Sequence, residues 1–186
     1  MNIFILSSDP IEAAQMMCDA HVVKMVTESA QMLSTAHRVL DGVKEKRASK
    51  SGKRILDYWK VSHNLDSILM KPCHVNHPCT QWVMQSNHNY NWLYRHYEAL
   101  SNEYTHRYGK EHGAFYKNSI NLFLRNTPFN IPITNDITPY AIAMKQYPEC
   151  ITESAIESYR KYYLVAKQSF AKWTNRTPPT WWNLVT

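Results

Sequence analysis

The chain has 186 residues, 44% hydrophobic and 19% charged, a composition that excludes a disordered chain and suits one domain with a real core. Four glycines argue against a turn-rich all-β fold, and the cysteines Cys18, Cys73, Cys79 and Cys150 are too few and scattered for a disulfide framework. The net charge of +6 is local: residues 44–54, "KEKRASKSGKR", hold six basic side chains and one acid, leaving 15 basic against 14 acidic elsewhere, which excludes a uniformly basic surface and marks one segment as either a solubilising loop or a phosphate contact.

In chain order, "IFIL" at 3–6 reads as a short strand or a packed N-terminal segment. With no basic flank ahead of it and no membrane-length apolar run after it, it points to a soluble, cytoplasmic protein. "SSDP" supplies helix-start chemistry, with Ser8 or Asp9 as cap and Pro10 in the first turn. The first helix is expected over about 10–40, with a break near Asp19 and a stop at Asp41-Gly42. A basic loop, 43–54, follows. A second helix is expected over about 54–69, carrying Ile55, Tyr58, Trp59, Leu65 and Ile68.

"KPCHVNHPC" is a proline-punctuated connection. A third helix over about 78–108 has a stripe of Trp82, Tyr90, Leu93, Tyr97, Leu100 and Tyr104, which at this spacing reads as core, and ends at Gly109. Helices over about 114–125 and 152–173 flank a Pro-rich loop at 126–149, and "RTPPTWW" is an extended aromatic end. No internal repeat or linker divides the chain. The expectation is a mainly α protein: a single compact helical domain, 1–186, with a long first helix and Pro-rich loops.

The first helix carries an unusual row. His21, Lys24, Glu28, Gln31 and Thr35 fall within an arc of roughly 80°, opposite Val22, Val26, Ala30 and Leu33. One acid, one cation, one imidazole and one amide on a single face suit an acid/base centre at Glu28. The same row also fits a solvated face with an ordinary Lys24–Glu28 pair at i, i+4.

Other chemistries fit less well. Cys73, His74, His77 and Cys79 are zinc-type donors, but four ligands within seven residues leave little chain to wrap an ion. "SGKR" ends in Arg54 rather than Ser or Thr, and Arg47 stands where a phosphate loop needs its first glycine. The amino terminus remains as a nucleophile. An α-amine has a pKa of about 7.7–8.0, against about 10.4 for Lys. A good fraction is therefore uncharged at neutral pH, able to attack a sugar C1′ and form a Schiff base. "IFIL" would anchor it against the core.

With these residues in view, the chain resembles the bacteriophage pyrimidine-dimer DNA glycosylases of the endonuclease V type. Those are small, mostly helical enzymes built around an N-terminal α-amine and a glutamate on a long first helix. The family's histidine two turns before the glutamate is matched by His21 and Glu28. Its basic Gly-Lys-Arg loop is matched by Gly52-Lys53-Arg54, and its long helix from a histidine to a basic-Gly stop by His77 to Arg107-Tyr108-Gly109. "YRKYY" and "RTPPTWW" match its C-terminal aromatic and basic segment in kind. "DAHVVKM" and "HPCTQW" resemble strings of phage proteins, which implies a viral source and a host-cell cytoplasm. The family's arginine before the glutamate is Thr27 here, and a later one is Gln31. Both changes remove positive charge where extruded DNA would be gripped. Family members expose a small residue after Met removal, whereas Asn2 resists such trimming, so the amine falls on Met1.

The resemblance implies a DNA glycosylase and AP lyase acting on a damaged or modified base in double-stranded DNA, as a monomer, with no metal and no organic cofactor. Met1 is then the nucleophile, Glu28 the proton shuttle and His21 its orienting partner. Asn2, Lys24, Gln31, Lys46, Arg47, Lys50, Lys53 and Arg54 face the DNA. Two other readings stand beside this one: a base- or nucleotide-modifying enzyme on the same scaffold, and a non-enzymatic module binding nucleic acid or a host protein.

Overall fold

The structure, a computed structural model, describes residues 1–185, and side chains up to Trp182. The fold is mainly α-helical, with one two-stranded hairpin. Helix α1 spans Pro10–Met16 and α2 spans Asp19–Asp41. Asp9 caps α1, its carboxylate accepting the Ile11 and Glu12 amides at 2.8 and 3.0 Å. The break falls at Met17 and Cys18, both extended and fully buried. It lets a C-terminal segment of the chain dock there. The Asp19 amide donates to the Lys172 carbonyl at 2.8 Å, and its carboxylate accepts from Thr174 and from the buried Arg107. Arg107 also pairs with Glu103, which takes Arg176 from the same C-terminal stretch.

Residues 43–60 correct two expectations. The stretch expected as a basic loop and the first turns of a second helix form a hairpin, β1 (Val43–Ala48) and β2 (Ile55–Lys60), pairing antiparallel from Val43↔Lys60 to Ala48↔Ile55. Only its turn, 49–54, is a loop, with Gly52 at φ 71°. Ile55, Tyr58 and Trp59 stand at i, i+3 and i+4, a helical spacing, but over six residues that pattern is short, and their β-branched and aromatic character suits the strand that forms. Of the second helix only α3, His63–Ile68, remains.

Arg38, 1% exposed near the end of α2, ties this unit down. Its guanidinium donates to Asp66 at 2.6 Å and to the carbonyls of Met70 and Leu69 at 2.7 and 3.0 Å, and sits over the Tyr58 ring. Gly42 is required by close approach, since a Cβ there would lie 2.4 Å from the Arg38 carbonyl oxygen.

The third expected helix is two, α4 (Pro78–Gln85) and α5 (Asn87–Tyr108). Ser86 is extended between them and caps α5 through the Asn89 amide at 3.0 Å. Gly109, left-handed at φ 66°, closes α5. α2 packs on α5 and α4, and α1 on α5. Trp82, Tyr90, Leu93, Tyr97 and Leu100 are buried between them, so the stripe is core up to Leu100, while Tyr104 is half-buried. The segment expected as one helix near 114–125 divides into α6 (Gly113–Tyr116), a 3-10 turn and α7 (Ile120–Leu124), broken by positive φ at Asn118 and Ser119. Residues 126–147 carry no helix or strand. The last α-helix, α8, is shorter than expected, Ala155–Ala166, starting on the Ser154 cap.

Residues 3–6 form no strand. Ile3, Ile5 and Leu6 are at most 1% exposed, so the segment threads the core as packed chain. All four cysteines are free. Among the described residues no helix is long and apolar enough to cross a membrane.

Candidate active site

The row on α2 is covered by the first residues of the chain. His21, Glu28 and Thr35 are buried, Gln31 is half-buried, and Lys24 is exposed. The solvated-face alternative therefore does not describe it. The Asn2 amide donates to Glu28 Oε2 at 3.0 Å, and the Met1 amine lies 3.8 Å from the same oxygen. Lys24 Nζ holds the other carboxylate oxygen, Oε1, at 2.9 Å. The Met1 side chain is only 2% exposed, its sulfur taking a hydrogen bond from the Thr80 hydroxyl at 3.4 Å. Since the residue as a whole is half-buried, its exposed part is the main chain, where the amine sits.

Asn2 is the clasp behind this arrangement. Its side-chain oxygen accepts the Ile3 amide at 2.7 Å and the Phe4 amide at 3.2 Å, and its nitrogen donates to the Ala143 carbonyl at 2.9 Å. The Cys79 thiol lies on it too, and burial pushes that thiol's pKa up to about 12. A side chain so occupied is not free for DNA, which corrects the expectation of a nucleic-acid contact at Asn2. Phe4 follows at φ 54°, a left-handed backbone that costs a bulky residue of order 1–3 kcal/mol and persists only when its surroundings impose it. Here they do. Its ring stacks on His21, centroids 4.2 Å apart at 15°, and parallel to Tyr162 at 6.2 Å.

His21 does not reach Glu28. Its Nδ1 shares a hydrogen bond with the buried Tyr163 hydroxyl. Desolvation, reinforced by the positive charges of Lys167 and Lys24, lowers its pKa to about 3, so it is neutral. The expected orienting bond from His21 to the carboxylate is therefore absent, and its contact with the terminus runs through Phe4. The Gln31 side chain makes no hydrogen bond among the described residues either.

The basic positions divide. Lys46 is paired with Asp57, which also holds Lys44 at 3.0 Å, and Arg47 is paired with Glu45 while stacking over Tyr58 at 3.5 Å. Lys50, Lys53 and Arg54 lie in the exposed turn with no ion pair among the described residues. The zinc-type donors do not converge, and no group of three metal-ligating side chains occurs among the described residues. His77 instead caps α4, its Nδ1 accepting the Cys79 amide at 3.2 Å.

Residues 1–116 match the family model of pyrimidine dimer DNA glycosylases. The chain belongs to that family. No curated protein and no solved structure matches it. Membership supports DNA glycosylase function. In this pyrimidine dimer DNA glycosylase family member the matched stretch carries the terminus, the α2 row, the hairpin and the aromatic core of α5. Tyr162, Tyr163, Lys167 and Ala143, which back the terminus from the C-terminal side, lie outside the match. Sequence reasoning missed these partners, because nothing in "YYLVAK" says which α-helix it faces. It also missed Asn2 as a clasp, for which the short amide beside a buried apolar run was the only signal.

Proposed function

We propose that this chain removes a pyrimidine-dimer base from duplex DNA and then cuts the abasic strand, with the Met1 amine as nucleophile and Glu28 as proton shuttle. The observation that carries this reading is the terminal amine, 3.8 Å from a carboxylate oxygen, its own side chain buried so that the amine is held rather than frayed. Amine and carboxylate within one water of each other satisfy the geometric requirement for assisted attack.

The unprotonated amine attacks C1′ of the target nucleotide, and the C1′–N1 bonding pair goes to the pyrimidine, which stays joined to its dimer partner. Glu28 takes one proton from the attacking nitrogen and passes it to the departing base. The sugar ring then opens as the C1′–O4′ bond breaks, the proton remaining on the attacking nitrogen passing to O4′ and the C1′–nitrogen bond becoming a Schiff base. Glu28 removes a C2′ proton, the 3′ phosphate leaves, and water hydrolyses the Schiff base to release the amine. Lys50, Lys53 and Arg54 engage phosphates from the hairpin turn. Glu28 to Gly42 spans about 20 Å of α-helix, roughly six base steps of duplex at 3.4 Å each, so one DNA segment serves both. His21 is a positioning residue, acting through Phe4.

The test is borohydride reduction on a duplex bearing one abasic site. A covalent adduct mapping to residue 1 by peptide mass, and lost after acetylation of the amine, supports the reading. An adduct on Lys24, or none, overturns it.

A further inference from the structure

Lys167 closes the C-terminal end of α8, its amide donating to the Tyr163 carbonyl at 3.0 Å and its carbonyl accepting the Ala171 amide at 2.9 Å. Aromatic groups fix its ammonium. Nζ donates to the Tyr162 hydroxyl at 3.0 Å and lies 4.5, 5.9 and 6.0 Å from the ring centroids of Tyr162, Phe170 and Phe4. The side chain is half-buried and forms no ion pair among the described residues. Lys24 and Lys46, by contrast, are each held by a carboxylate. Ring faces attract a cation but leave its charge uncompensated. A lysine already held in one geometry also loses less freedom when an anion arrives.

The place of Lys167 follows from α2. Phe4, one of its three rings, stacks on His21, centroids 4.2 Å apart. His21 stands seven residues before Glu28 on the same face, about 10 Å of α-helix, and the hairpin leaves α2 about 20 Å beyond Glu28 in the other direction. The Met1 amine, beside Glu28, therefore lies between Lys167 at one end and the basic turn at the other. A duplex laid along α2 brings Lys167 about three base steps, at ~3.4 Å each, from the nucleotide at Glu28.

We infer that Lys167 binds a DNA phosphate on the side of the target nucleotide opposite the phosphates held by Lys50, Lys53 and Arg54, so that two separate cationic contacts straddle the Met1 amine. The inference rests on the glycosylase reading above, which lays DNA along α2. One ammonium proton is taken by the Tyr162 hydroxyl, and the others are left for phosphate oxygens. Lys167 lies outside residues 1–116, the stretch shared with the family, so the contact comes from this chain's own C-terminal part. The competing role is structural: a cation that props the rings against which Phe4 packs.

The test measures binding to a duplex with one abasic site by fluorescence anisotropy over a salt series, for wild type, Lys167→Met and Lys167→Arg. Methionine keeps an unbranched apolar stem on the rings and removes the charge, and thermal melting verifies folding. Lys167→Met is expected to lower the slope of log affinity against log salt by about 0.9, and Lys167→Arg to restore it. In wild type, replacing single phosphates with neutral methylphosphonates is expected to weaken binding at two groups of positions, one on each side of the abasic site. Lys167→Met erases the response of one group, and alanine at Lys50, Lys53 and Arg54 erases the other. An unchanged slope in a folded Lys167→Met assigns the residue to the structural role and overturns the inference. So do sensitive phosphates on one side only, a result read on wild type and independent of how any variant folds. Two groups without a borohydride adduct at residue 1 overturn the lyase reading and leave Lys167 in place, whereas an adduct with one group does the reverse.

Discussion

Glu28 is the residue on which most converges, because three nitrogens address its two oxygens from different parts of the chain. Glutamine in its place keeps an oxygen for the Asn2 amide but cannot accept and return a proton. Glu28→Gln is therefore expected to bind dimer-containing DNA near wild-type strength while base excision falls by about 10²–10⁴-fold. Single-turnover kinetics with saturating enzyme measure this, and a loss under tenfold would remove Glu28 from the chemistry. One added residue ahead of Met1 displaces the amine by about 3.5 Å, a full residue step, and is expected to abolish borohydride trapping without lowering the melting temperature. Glu28 was legible as the acid of the row, and its neighbour, the amine of Met1, followed from the family resemblance. The contacts of His21 were not. Helical spacing gives the face a side chain occupies, and His21 shares the face of Glu28, but its partner Tyr163 comes from α8, and no local pattern announces so distant a contact.

The hairpin shows what an element adds to its charges. Its strands are largely exposed, so no buried face imposes a period that the sequence could display, and residues 43–60 hid their strands. What holds the unit is Arg38, a lone cation on the buried side of α2, unremarkable in sequence. Arg38→Ala would leave the carbonyls of Met70, Leu69, Trp59 and Asp66 without this donor, and the Asp66 carboxylate with the Tyr58 hydroxyl alone. Half-exposed Asp66 recovers some solvation, so the expected loss is about 3 kcal/mol, at the lower end for a broken buried pair. Urea denaturation reads it directly, and a loss under about 1 kcal/mol would mean that the hairpin is held by other contacts. The turn is separable from this anchor. Replacing Lys50, Lys53 and Arg54 with alanine removes three charges that have no protein partner among the described residues, whereas Lys46 and Arg47 already have theirs in Asp57 and Glu45. The slope of log affinity against log salt is expected to fall by about 2.7, from roughly 0.9 per phosphate contact. A comparable change from Lys46→Ala and Arg47→Ala together would show that those ion pairs open on DNA.

For the molecule as a whole, the mainly helical core was legible because α2 and α5 are long, strongly patterned and packed on each other. Its acid sensitivity was not, because it depends on which histidines the core encloses. Three of them are buried as neutral rings. Desolvation lowers His21 to about 3, and His37 and His96 to about 4, from an ordinary value of 6.5. His96 is fully enclosed. Its Nδ1 lies 2.9 Å from the Pro10 carbonyl oxygen, and its Nε2 has no partner among the described residues. The unfolded chain takes up protons on all three as pH drops below 6.5, while the folded chain refuses them until about 3 to 4. Stability is therefore complete above pH 6.5 and is lost as pH falls toward the folded values, by up to about 1.4 kcal/mol per histidine per pH unit. Three such groups together remove about 4 kcal/mol per unit, against a total of roughly 5–15 kcal/mol for a typical domain. Asp19, Asp66 and Glu103, held below their ordinary values chiefly by hydrogen bonds to Arg107, Thr174, Arg38 and Arg176 that outweigh their burial, push the same way only at lower pH. Acid unfolding is thus expected with a midpoint between about pH 4 and 5.5, above the range where carboxylates act alone. Circular dichroism across a pH series measures the midpoint, and His96→Leu, which removes one of the three proton sinks, is expected to lower it. A chain that stays folded at pH 3.5 would show that these histidines are protonated within the native state, and that burial has not set their charge.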